Sequence, residues 1–96
     1  MPIDRLLVEK REEILRIARR HGASNVRVFG SMARGDASPD SDVDLLVDVL
    51  PQHSSWFPGS LLADLEKALG RKVEIAEAEA LHWYIRDRIL AEAIPL

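Results

Sequence analysis

Hydrophobic positions change period along this chain, and the changes mark its elements. From Asp4 to Arg20, Leu7, Ile14 and Ala18 fall near one face at helical spacing, and Gly22 stands where a left-handed residue can end the helix. Val26-Arg27-Val28-Phe29 then reads as a short strand that stops at Gly30, and a short helix is predicted to open at Ser31. The segment from Gly35 to Ser41, GDASPDS, is turn chemistry and leads into a second strand from Asp42 to Val49. That strand sets Val43, Leu45 and Val47 on one face and Asp42, Asp44 and Leu46 on the other. Apolar residues on both faces predict a central strand.

Pro51 to Gly59 breaks the pattern, and Trp56 and Phe57 within it read either as a lid packed on the sheet or as a platform for a base or partner. Ser60 is predicted to cap a helix running to Leu69, with Gly70 stopping it. Val73 and Ile75 alternate with Glu74 in a third strand from Lys72 to Ala76, and strand, helix and strand in succession imply a right-handed parallel crossover. Leu81, Ile85 and Ile89 define a last helix over Glu79–Ala93, which Pro95 ends, while Trp83 and Tyr84 flank its apolar stripe. These elements predict an α+β fold of two layers, a small three-stranded mixed sheet with helices packed against it, as a single domain over residues 1–96.

Composition narrows the choices. Ninety-six residues support one modest core and leave no room for a separate substrate-binding domain, so a macromolecular acceptor would be bound partly by another chain. With 13 basic and 16 acidic residues the net charge is −3, and nucleic acid is not expected as a direct partner. The basic residues of the first helix alternate with Glu9, Glu12 and Glu13 and read as a solvated face. The absence of cysteine excludes disulfides and thiolate zinc sites. Charge runs through the N-terminal segment and no run of 18 apolar residues occurs, so a cytoplasmic protein with no membrane partner is expected. His21, His53 and His82 stand apart, which leaves neither a zinc set nor a catalytic histidine arrangement.

Candidate chemistry concentrates in Gly30-Ser31-Met32-Ala33-Arg34-Gly35 and, ten residues after Ser31, Asp42-Val43-Asp44. Gly30 lacks a Cβ and lets backbone approach a ligand; the helix opening at Ser31 offers free amides and a hydroxyl to phosphates. Arg34 either clamps phosphate or pairs with Asp36 or Asp40. Asp42 and Asp44, at i and i+2 of a strand, share a face and are the proposed ligands of Mg²⁺, one ion or two. An EF-hand loop is excluded, because Leu45 stands where that loop needs glycine. Together the two halves predict transfer of a nucleoside monophosphate from an NTP.

The string GSMARGDASPDSDVDLLVD resembles the signature of the minimal nucleotidyltransferases, within the DNA polymerase beta-like superfamily, and the order of elements follows that family through Leu90. The resemblance implies ATP as substrate, a third carboxylate at Glu74 that completes the metal cluster and assists deprotonation of the acceptor, and an antitoxin role. It further implies a HEPN-domain toxin as partner in a hetero-oligomer, with adenylylation of a toxin hydroxyl, a tyrosine, silencing it. The family carries Asp at the third position, whereas this chain has Glu74, one methylene longer. That departure keeps a non-catalytic antitoxin that acts by binding alone as the alternative. A small-molecule transferase of the aminoglycoside type ranks below both, since those enzymes resemble two-lobed proteins.

Overall fold

Why the second strand can be apolar on both faces is explained by its place in the sheet. The computed structural model describes residues 5–36, 38, 40–51 and 57–96. Its elements run α1 (Arg5–Glu9), α2 (Arg11–Arg20), β1 (Ala23–Phe29), α3 (Ser31–Arg34), β2 (Val43–Val49), α4 (Gly59–Leu69), β3 (Val73–Glu77), a 3₁₀ turn (Ala78–Ala80), α5 (Trp83–Glu92) and β4 (Ile94–Pro95). The strands form one mixed sheet in the order β3-β2-β1-β4. β2 lies parallel to β3 and antiparallel to β1, so both of its edges are paired. Among the described residues no helix is long and apolar enough to cross a membrane.

Alternation along β2 divides the core in two. Val43, Leu45 and Val47 face a main cluster with Leu7, Ile14, Ile17 and Ala18 of α1 and α2 and Leu61, Leu65 and Leu69 of α4. Leu46, on the opposite face, packs with Ala78 and Ile89, against which Phe29, Ala76, Leu81 and Ile85 also lie. Helices α1, α2 and α4 therefore cover one face, and α5 covers part of the other. Asp44 shares the α5 face with Leu46.

Four features differ from the sequence-based expectations. The sheet has four strands among the described residues, not three: Arg27 and Val28 pair antiparallel with Pro95 and Ile94. Two residues, one of them proline, carry no periodic signal; the free edge of β1 makes them a strand. The last helix accordingly starts at Trp83, where the His82 side chain accepts from the Tyr84 amide, and it ends at Glu92 before Ala93 turns extended. The first helix is interrupted at Lys10, and its expected start at Asp4 lies outside the described residues. Ser60 does not cap α4; Pro58 holds that position, and the Ser60 hydroxyl instead lies 3.2 Å from Nδ1 of His21, whose Nε2 is 2.7 Å from Asp64. His21 is thus a tie between α2 and α4. His53 and Trp56 lie outside the described residues, while Phe57 packs against the main core.

Leu45 is fully buried on the central strand, whereas Leu50 just past its end is 36% exposed. Leu45→Ala is expected to cost roughly 2–5 kcal/mol in urea-induced unfolding, and Leu50→Ala no more than about 0.5 kcal/mol.

Candidate active site

Register builds the site. Phe29 pairs with Asp44 across β1 and β2, and Asp44 pairs with Glu74 across β2 and β3. The end of β1, the first carboxylate inside β2 and the carboxylate of β3 therefore form one row across the sheet, on the face that α5 partly covers. Neighbouring strands lie about 4.8 Å apart, which puts the Asp44 and Glu74 side chains within reach of each other. Asp42 stands just outside β2, two residues before Asp44 and on the same face.

Three carboxylates in this arrangement act on one another. Asp44 is half-buried, and desolvation first, then the charge of Glu74 and a side-chain hydrogen bond with it, then the charge of Asp42, push its pKa up to about 6. A carboxylate raised by burial and by like charges is a site short of positive charge. Oxygen donors of this kind suit a hard divalent cation. Among the described residues no three His, Cys, Asp or Glu side chains converge closely enough to hold an ion as they stand, so a cation would have to draw Asp42 toward the Asp44–Glu74 pair or take its remaining ligands from substrate. The donor chemistry fits Mg²⁺.

Gly30 closes the row from the other side. It has φ +75°, and a Cβ added there would lie 3.3 Å from Asp44 Cγ and closer still to its Oδ2. Only glycine lets the turn sit against this carboxylate. The turn leads into α3, anchored by buried Met32 and Ala33 and closed by Gly35 in the left-handed region. Ser31 begins the helix, with its carbonyl accepting from the amides of Gly35 and Asp36. Its own amide and that of Met32 are first-turn donors without an intrahelical acceptor.

Two residues outside the sequence reading complete the picture. Arg71, two residues before β3, donates from Nη2 to the Ser41 carbonyl at 2.6 Å and to the Ser38 carbonyl at 3.0 Å, clamping the turn that delivers Asp42. Ser41 orders the same turn, its hydroxyl accepting from the Ser38 amide at 2.8 Å. Glu92, the last residue of α5, accepts from the Gly30 amide at 2.9 Å and from Arg34 Nη1 at 2.7 Å. Arg34 also donates to Asp36 at 3.2 Å, one of the two partners weighed for it from sequence. The Gly30 amide and the Arg34 guanidinium hold the Glu92 carboxyl below the usual range. No local pattern could have revealed Glu92, which lies 62 residues from Gly30.

An unfolded Asp titrates near 3.9, so between about pH 4 and pH 6 the folded chain binds more proton at Asp44 than the unfolded chain does. The Asp44 contribution to stability, read in EDTA as the difference between the wild-type chain and Asp44→Asn, is therefore expected to fall as pH rises through this window. Asp44→Asn is expected to remove that slope and to raise stability at pH 7 by about 1 kcal/mol, after allowing for solvent screening of a half-exposed group. A chemical-denaturation series from pH 4 to pH 8 checks both outcomes. Gly30→Ala, strained at its positive φ and pressed on Asp44, is expected to cost more than about 1 kcal/mol by the same measurement.

Comparison with known proteins agrees with this geometry. Residues 11–96 match the protein family described as nucleotidyltransferase domain. The protein adenylyltransferase MntA of Thermococcus cleftensis is 35% identical over 94 residues, covering 93% of this chain and 95% of that protein. A Methanocaldococcus jannaschii protein assigned as a protein adenylyltransferase is 34% identical over 86 residues, 90% of this chain and 92% of its own length. Among solved structures, one assigned as a minimal nucleotidyltransferase superposes with a TM-score of 0.83 at 44% identity and covers 94% of this chain and 92% of that one. A toxin-antitoxin crystal structure with AMP-PNP shares the fold, with a TM-score of 0.75 at 17% identity over 88% of this chain and 69% of that one. With its family match running from Arg11 to Leu96, the chain belongs to the nucleotidyltransferase domain family and is an enzyme of that class.

Proposed function

We propose that this chain transfers AMP from ATP to a hydroxyl of a HEPN-domain toxin, a tyrosine, and acts in the cytoplasm as the antitoxin of that pair. The observation that carries the reading is the contact of Gly30 with Asp44, because it sets a phosphate-accepting turn directly against a carboxylate row suited to divalent metal. The adenylyl group is supported by the relative named protein adenylyltransferase MntA, and the antitoxin role by the toxin-antitoxin assembly with the same fold.

Asp42, Asp44 and Glu74 would hold Mg²⁺, as two ions, and Gly30, Ser31 and Arg34 would receive the β- and γ-phosphates. Bound there, the metal supplies positive charge that offsets the triphosphate and the charge developing in transfer. The acceptor oxygen attacks the α-phosphorus while the bond to the β-phosphate oxygen breaks, and pyrophosphate leaves. Glu74 takes the proton of the acceptor hydroxyl. Its 74th position on an edge strand leaves the side chain exposed to an incoming protein acceptor. Direct in-line transfer needs no nucleophile from the enzyme, in keeping with the absence of cysteine and the structural duty of His21.

The test is intact-mass spectrometry of a HEPN toxin from the same genome after co-expression with this chain or with its Asp42→Asn/Asp44→Asn variant. A mass gain in whole adenylyl units with the intact chain, and none with the variant, is expected. An unmodified toxin in a stable complex with both would overturn the catalytic reading in favour of an antitoxin that works by binding.

A further inference from the structure

Two donors assigned above to the nucleotide's phosphates already hold a carboxylate of this same chain. Glu92 Oε2 accepts from the Gly30 backbone amide at 2.9 Å, and Oε1 accepts from Arg34 Nη1 at 2.7 Å. An anion that bridges a backbone N–H at a helix-opening turn and a guanidinium uses the pair of donors that a phosphate oxygen pair would use. Both bonds cannot persist with a phosphate in the same place.

The tie is open to competition by another anion. Glu92 adds a further negative charge to the carboxylate row, and its charge is among the causes that raise Asp44. The Gly30 amide and the Arg34 guanidinium outweigh that repulsion and favour an anion at this position. The Glu92 side chain is 25% exposed and that of Arg34 is 53% exposed, so solvent and ligand can reach the contact. The residue also sits at the end of its helix. α5 stops at Glu92, Ala93 is extended, and the chain is then held to β1 by the pairing of Ile94 and Pro95 and by the Leu96 amide on the Val26 carbonyl.

We propose that Glu92 is an internal occupant of the nucleotide's phosphate position and sets the affinity of this chain for ATP. In the free protein the Glu92 carboxylate holds Gly30 and Arg34; ATP binds by displacing it, and the last turn of α5 yields. The apparent affinity is then lower than the intrinsic one by the fraction of molecules in which Glu92 is released. This inference rests on the assignment of Gly30 and Arg34 to phosphate.

Isothermal titration of ATP with Mg²⁺ into the wild-type chain and Glu92→Gln tests it, since glutamine keeps size and acceptor capacity but removes the competing charge. About tenfold tighter binding by Glu92→Gln is expected, corresponding to a resting state released in roughly one molecule in ten. Hydrogen exchange on the wild-type chain, which needs no variant, should show amides of residues 89–96 losing protection when ATP is added while those of residues 30–34 gain it. Equal or weaker binding by Glu92→Gln, or exchange at 89–96 that ATP does not change, overturns the inference while wild-type ATP binding leaves the transfer reading standing. Failure of both proteins to bind ATP overturns the transfer reading and this inference with it.

Discussion

The site depends on strand register. Asp44 is opposite Phe29 on one side and Glu74 on the other, and these two pairings bring together segments that are otherwise far apart in the chain. Side chains alternate across a sheet with period two, so a slip of one residue in either pairing would send a carboxylate to the face packed by α1, α2 and α4. Register is fixed by the same alternation: Val43, Leu45 and Val47 can be buried only if Asp44 and Leu46 face the other way. The hydrophobic core and the carboxylate row are two readings of one strand.

That arrangement carries an electrostatic cost. A net charge of −3 is modest for the chain, yet Asp42, Asp44, Glu74 and Glu92 all act on one small region. Arg34 is the one cation that hydrogen bonds into it among the described residues, and it does so through Glu92 and Asp36 rather than through the carboxylate row. A fold selected for stability alone would have placed a Lys or Asn at position 44. Repulsion of this kind is relieved by a bound cation, and this is how a protein can favour metal and metal-bound triphosphate over an empty site.

Much of this was legible in the sequence because it is local. Gly30, Ser31, Asp42 and Asp44 lie within one strand-turn-strand unit whose periodicity and turn residues are strong, and in the structure Gly30 sits against Asp44. Glu74 is assigned by the resemblance to the minimal nucleotidyltransferases, on a strand whose alternation the sequence shows. What escaped depends on long-range contact. β4 is a strand only because β1 has an unpaired edge, and Glu92 reaches Gly30 only because Ile85 and Ile89 lay α5 on Leu46. Arg71 escaped because its targets are backbone carbonyls, which leave no trace in side-chain chemistry. Ser60 satisfied the composition of a helix cap, yet the chain entered α4 two residues earlier and the hydroxyl found His21 instead.

The short strand at the end of the chain makes the two margins of the sheet unequal. Leu96 donates to the Val26 carbonyl at 3.0 Å, so by antiparallel alternation the intervening Pro95 has its nitrogen on the outward side, where it offers no N–H. An extended segment from another protein would find no donor there to continue the ladder. The opposite margin, β3, is five residues long and has no proline. Edge-to-edge augmentation of this sheet is therefore directed to the strand that carries Glu74, so that a polypeptide joining it would lie alongside the carboxylate row and not at the far border.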